Sequence, residues 1–272
     1  MKLNLTSAAA SVGCSLLLSL ALPGTANASL ANYINVAYQN DFSSLTDAGW
    51  THLNLFALSS GQTWSAATGA YRLTAPPNGY NPGTGQYGFV GSVPTGLTLA
   101  NGYVQSDVVA WQGPGPYGAF GVGSRLGALT TPLGLTGYAI VYEPYGNSGA
   151  GNIRLERLGP PGIFNNLGSQ NVALTPGNQY TFTLETTGSS IVGSLWQVGQ
   201  VGTVPGLIGQ VSATDATYAS GAVGLFGVAQ APIPTVDTTW DNFIVMVPEP
   251  GTATLLGLGL VGFLAARRRQ AK

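Results

Sequence analysis

Tyr180-Thr181-Phe182-Thr183-Leu184-Glu185-Thr186 decides the architecture of this chain. Tyr180, Phe182 and Leu184 share one parity, and Thr181, Thr183 and Glu185 the other. Successive side chains of an extended chain point to opposite faces, so the run predicts a strand with one apolar and one polar face. Thr187-Gly188-Ser189-Ser190 turns the chain, and residues 191–198 are expected to return antiparallel to the first strand. Working outward, the same reading predicts strands at 102–111, 117–125, 138–143, 152–158, 221–228 and 239–247. Earlier strands are expected around 36–42, 50–58, 71–75 and 87–90. Residues 138–143 and 152–158 should pair as a hairpin across a loop rich in Gly and Asn. Many short strands with regular turn signals predict an all-β, antiparallel sandwich.

Composition narrows the function classes. The 40 glycines and 17 prolines break the chain too often for long helices. Apolar residues make up 44% and charged residues 7%, which argues against disorder. Between residues 29 and 247 the basic residues are Arg72, Arg125, Arg154 and Arg157. Nine acidic residues face those four, a net charge of −5, so no basic patch exists and nucleic acid is not an expected partner.

The strand order is similar to that of concanavalin A-like jelly rolls, the laminin-G and glucanase type of sandwich. Three places carry the resemblance: Asn40-Asp41-Phe42 followed by Gly49-Trp50; the hairpin of 180–195; and Ser220-Gly221-Ala222-Val223-Gly224-Leu225-Phe226-Gly227 with Thr239-Trp240-Asp241-Asn242-Phe243-Ile244-Val245 as the last strand. The resemblance implies that the final strand lies beside the first. It also implies a structural calcium tying those strands, with Asp41 and Asp241 as candidate ligands. Calcium takes six to eight oxygens, so two carboxylates alone do not decide the matter, and both could instead bond turn backbones.

Both ends carry address signals. Lys2, an apolar stretch over residues 12–22 and Ala26-Asn27-Ala28 read as a signal peptide, residues 1–28, cleaved by signal peptidase after Ala28. Cys14 would leave with it, and the mature chain would then hold no cysteine, no disulfide and no thiolate site. At the other end stand Val247-Pro248-Glu249-Pro250, an apolar run over 251–266, and Arg267, Arg268 and Arg269. This segment, 247–272, resembles the PEP-CTERM sorting signal of Gram-negative exported proteins. The resemblance implies export, transient anchoring in the inner membrane and processing by an exosortase. As a helix the apolar run reaches about 24 Å, short of a hydrocarbon core of about 30 Å. That length suits a processing intermediate held by arginines on the cytoplasmic side. Residues 29–246 are left as the sandwich domain.

The catalytic inventory is thin. Glucanases on this fold use a Glu-x-Asp-x-x-Glu strand, which is absent here. Asp107 and Glu143 could flank a glycosidic bond if their strands were adjacent. Glu156 sits beside Arg154 and Arg157, where ion pairing is the default. His52 is the only histidine, with no Gly-x-Ser-x-Gly elbow to serve it, and reads as a surface residue. No catalytic residue is assigned. The aromatic content offers a binding reading instead. Gln105, Asp107 and Trp111 share a parity, and Tyr117, Tyr142 and Tyr145 lie in neighbouring strands and loops. Rings flanked by amides and carboxylates suit a sugar face, although a sandwich also buries such rings as core. The expected function is an exported surface or extracellular-matrix protein with a non-catalytic, glycan-binding sandwich, and the PEP-CTERM resemblance, to a family associated with exopolysaccharide and biofilm, implies exopolysaccharide as partner. The alternatives are a glycan-active hydrolase and a purely structural biofilm protein.

Overall fold

The hairpin of residues 180–197 lies one strand in from the edge of one of two stacked sheets. The computed structural model describes residues 35–53, 62–75, 87–111, 118–129, 134–144, 149–159, 164–203, 206–230 and 236–248. The predicted signal peptide, the 251–266 span and the arginine cluster lie outside the described residues. No described helix is long and apolar enough to cross a membrane.

The described strands are β1 (Asn35–Asn40), β2 (Trp50–Leu53), β3 (Thr63–Ser65), β4 (Tyr71–Ala75), β5 (Tyr87–Pro94), β6 (Thr98–Leu99), β7 (Gly102–Trp111) and β8 (Ala119–Gly127). The chain continues with β9 (Thr136–Glu143), β10 (Asn152–Leu158), β11 (Phe164–Asn171), β12 (Tyr180–Thr187), β13 (Ser190–Gln197), β14 (Leu207–Thr214), β15 (Gly221–Gln230) and β16 (Val236–Val247). Sheet I runs β14-β13-β12-β7-β16-β4-β3, with β1 also on β16. Sheet II runs β11-β10-β9-β8-β15-β5-β2, with β6 also on β15. The last strand does pair with the first, from Asn40↔Phe243 to Asn35↔Val247.

The inward faces alternate as the sequence requires. Val104, Val108, Phe182, Leu184 and Trp240 of sheet I meet Phe120, Val122, Tyr138 and Ile140 of sheet II in one core. Phe120 lies edge-on to Phe182 at 5.9 Å and to Trp240 at 6.1 Å. Each such side chain stabilises the fold by about 1.5–3 kcal/mol through burial. Gly121 is required where it stands, because a Cβ there would run into the Ile140 carbonyl of the neighbouring strand.

Two bulges set the faces of the central strands. Thr239 pairs with Ala110 and Trp240 with Val108, so Val109 is an extra residue in β7. On β16, Asp241 pairs with Asp107 but Ile244 with Gln105, and the inserted Asn242 adopts φ +50°. A bulge reverses the parity of everything beyond it. Trp111 is thereby turned inward and is not on the face of Gln105 and Asp107.

Candidate functional site: the outer face of sheet I

The strand registers assemble the outer face of sheet I as a grid. One rung is Gln105–Thr183–Ser194–Gln210, contributed by β7, β12, β13 and β14. The rung on one side is Asp107–Thr181–Trp196, and on the other Tyr103–Glu185–Val192. At about 4.8 Å between strands and about 3.3 Å per residue, four strands and three rungs span roughly 14 Å each way.

Hydrogen bonds fix this surface. Tyr103 donates its hydroxyl to Gln105 Oε1 at 3.0 Å. Trp196 Nε1 donates to Thr183 Oγ1 at 3.0 Å, which lays the indole, half-buried, across β12. Gln210 Nε2 donates to Ser194 Oγ at 3.0 Å. Thr183, Ser194 and Tyr103 form the floor of a shallow depression, with Glu185, Trp196, Gln210, Val201 and Gly202 around it. Burial pushes the Tyr103 phenol far above its ordinary range, and Glu185 and Asp107 add to the effect against the Thr183 bond. The phenol is therefore a neutral hydrogen-bond group at any physiological pH.

Asp107 is 7% exposed and fully engaged. Thr181 Oγ1 donates to its Oδ1 at 2.5 Å and Asn242 Nδ2 to its Oδ2 at 2.9 Å. The bulge residue Asn242 thus pins β16 to β7.

Of the aromatic candidates, Trp111 and Tyr142 are corrected to core residues. Trp111 is 7% exposed, packs on Phe120 and Tyr142, and donates Nε1 to the Asn178 carbonyl. Tyr142 is 2% exposed and its hydroxyl accepts the Leu174 N–H. Tyr117 and Tyr145 lie outside the described residues. Gln105 and Asp107 do share the predicted face. Trp196, Thr183, Glu185 and Gln210 were not singled out. Their parity was readable in the two-residue alternation, but which strand lies beside which is a tertiary fact.

The proposed pairing of Asp107 with Glu143 is also corrected, since β7 belongs to sheet I and β9 to sheet II. Glu143 instead shares Arg154 with Glu156, at 2.7 and 2.6 Å. Glu156 is 1% exposed, and burial raises its pKa to about 7 despite Arg154, with Glu143 adding repulsion. His52 bonds Asp47 at 2.8 Å and stacks on Trp64 at the surface.

The candidate calcium ligands Asp41 and Asp241 both lie among the described residues. Asp41 Oδ1 accepts both the backbone N–H and the hydroxyl of Ser43, which hold its carboxyl below the usual range. Asp241 Oδ1 accepts the Asn242 N–H. Desolvation, with repulsion from Asp107 and Asp41, raises Asp241. Among the described residues no group of three carboxylate, histidine or cysteine side chains could hold a metal. Both aspartates bond backbone groups of their own turns.

Comparisons with known proteins agree with both halves of this picture. The PEP-CTERM protein-sorting motif matches residues 247–269. It implies an exported protein, processed by an exosortase through a membrane-anchored intermediate. No curated protein matches the sequence. Among solved structures, the carbohydrate binding module CBM66 from Bacillus subtilis aligns with a TM-score of 0.50 at 14% identity, over 75% of this chain and 97% of its own. LamA from Z. galactanivorans, in complex with laminaritriose and laminaritetraose, aligns at 0.51 and 10% identity, over 79% and 100%. SCLam, a non-specific endo-beta-1,3(4)-glucanase from family GH16, aligns at 0.53 and 11% identity, over 80% and 92%. At these identities the likeness is one of fold alone: an all-β antiparallel sandwich of two sheets, as in those jelly-roll structures.

Proposed function

We propose that this is a non-catalytic, glycan-binding protein of the cell surface or extracellular matrix, which holds polysaccharide along the outer face of sheet I. The observation that carries this reading is the grid around Trp196. A half-buried indole is locked by its own N–H and lies beside two glutamines, two hydroxyl residues and a carboxylate. A flat ring takes the apolar face of a sugar, and amides and carboxylates bond its hydroxyls. The sorting motif supports delivery of such a domain to the outside.

A second reading, hydrolysis, draws on Glu143 and Glu156, two carboxylates of sheet II, one of which burial raises to about 7. Glycosidases pair an acid with a base in this way. Here both are tied to one guanidinium and Glu156 is buried, which favours an ion-pair knot over a reacting pair.

The test is affinity electrophoresis of the secreted, processed protein and its Trp196→Ala variant, with reducing-end assays on the same polysaccharides. Retention of the native protein, lost in the variant, with no release of reducing ends, is the expected result. Turnover that disappears in Glu143→Gln would establish the hydrolase instead. Absence of retention on every polysaccharide would leave a structural protein.

A further inference from the structure

Resting on the glycan-binding reading, we infer that the ligand is an uncharged polysaccharide, because the domain has no exposed cation left unpaired to hold a polyanionic one. From residue 29 to 247 the chain contains no lysine, four arginines and one histidine. Every one of these five is described, and every one is already committed.

Arg72 forks onto both oxygens of Asp237, Nε at 2.8 Å and Nη2 at 2.5 Å. Arg154 lies between Glu143 and Glu156. Arg157 donates to Asp215 at 2.9 Å. The Asp215 carboxyl, also bonded by Thr217 and Tyr138, is held down at about 2 against the pull of burial, so the pair stays ionised across any ordinary pH. His52 bonds Asp47. Arg125 has no carboxylate partner, but it is 2% exposed and donates to the carbonyls of Ala100, Gly188 and Tyr218. It is buried under three loops at one end of the sandwich, away from the outer face of sheet I.

The face itself leans the other way. Asp107, Glu185 and Asp241 stand on it, and the one arginine of the same face, Arg72 on β4, is held by Asp237. A uronate or sulfate polymer laid across the rungs would meet the carboxylates of Asp107 and Glu185 and no unpaired cation, on a domain whose net charge is −5. Recognition of anionic chains needs arginine or lysine, most effectively as a bidentate fork. What the grid does offer is neutral chemistry. Gln105 Oε1 is taken by Tyr103, and the Gln105 amide N–H groups have no partner among the described residues. Trp196 offers a ring face. Sugar hydroxyls, which both donate and accept, fit such a surface without any charge.

Two consequences can be measured on the secreted, processed protein. First, retention should be found on one or more of dextran, galactomannan, xylan and beta-1,3-glucan, and on none of alginate, hyaluronate and pectate in calcium-free buffer. Second, raising salt from about 0.1 M to about 1 M, which shortens the Debye length from about 10 Å to about 3 Å, should change the neutral-glycan Kd less than about twofold. Gln105→Lys with Gln210→Lys should add a salt-sensitive affinity for alginate that the native protein lacks. Direct retention on an acidic polymer without divalent ions, or a steep salt dependence on a neutral one, overturns the inference and leaves the glycan-binding reading standing. No retention on any polymer of either set overturns both.

Discussion

Arg125 shows how one residue can be both strained and indispensable. Its φ is +53°, a conformation costing an L-residue about 1–2 kcal/mol. It sits where β8 departs from regular register with β9 and β15. Burial lowers its pKa, with the Tyr138 ring beneath it working the other way. The three carbonyls it satisfies belong to three separate loops, so the side chain closes one end of the sandwich. Glu156 is the matching case on the acid side. Its Oε2, Arg154 Nε and Asn152 Oδ1 are buried without a hydrogen-bond partner. A carboxyl whose pKa rises from 4.5 unfolded to about 7 folded binds its proton more tightly in the native state. Its contribution to stability is therefore complete below pH 4.5 and is lost as pH rises through 7. The shift corresponds to about 3 kcal/mol. Urea unfolding across that interval should show the native protein weakening as pH rises, and Glu156→Gln should flatten the profile. An unchanged slope in the variant would assign the pH dependence to another group.

At the scale of elements, the bulge in β7 separates two tryptophans that a simple parity count treats alike. Trp111 lies past the bulge and belongs to the core, whereas Trp196 lies on the outer face. Trp111→Ala should cost about 3–5 kcal/mol of unfolding free energy. Trp196→Ala should cost clearly less and weaken glycan retention instead. Denaturation curves of the two variants, read beside affinity electrophoresis, separate packing from recognition. A larger stability loss for Trp196→Ala than for Trp111→Ala would show that the face is packing and not a platform. The edge strands teach a related lesson. Phe164-Asn165-Asn166-Leu167-Gly168-Ser169-Gln170-Asn171 has no clean alternation, yet it forms β11. As the edge of sheet II it has one strand neighbour, β10, so its sequence carries little of the burial pattern that marks an interior strand.

At the scale of the molecule, the pairing of β1 with β16 sets Asn35 beside Val247. Val247 is the first residue of the sorting motif and also the last of β16, packed against the core. Processing at Pro248-Glu249-Pro250 would remove the tail without breaking a strand pair, and cleavage after Ala28 would leave β1 whole. Intact-mass measurement of the secreted protein from its native host should find both ends gone, with Val247 retained. Recovery of a secreted product still bearing Arg267–Lys272 contradicts this. Glu249→Ala should hold the protein in the inner membrane without changing the melting temperature of the domain.

The division of labour between sequence and tertiary structure is physical. Alternation and turn chemistry are local, so 102–111, 152–158 and 71–75 were legible as strands to the residue, and the sandwich class with them, while the first-to-last pairing came only with the family resemblance. The sorting signal is likewise a linear pattern, recognised by its order along the chain. The charge count is also complete in the sequence alone. What the sequence could not hold was which strands become neighbours and where a bulge inserts a residue. Those facts moved Trp111 and Tyr142 into the core and put Asp107 and Glu143 on different sheets. They also brought Trp196 beside Thr183 and buried Arg125 among carbonyls. Each depends on contacts between residues far apart in the chain, and a local pattern of apolar and polar residues is the same whichever partner is chosen.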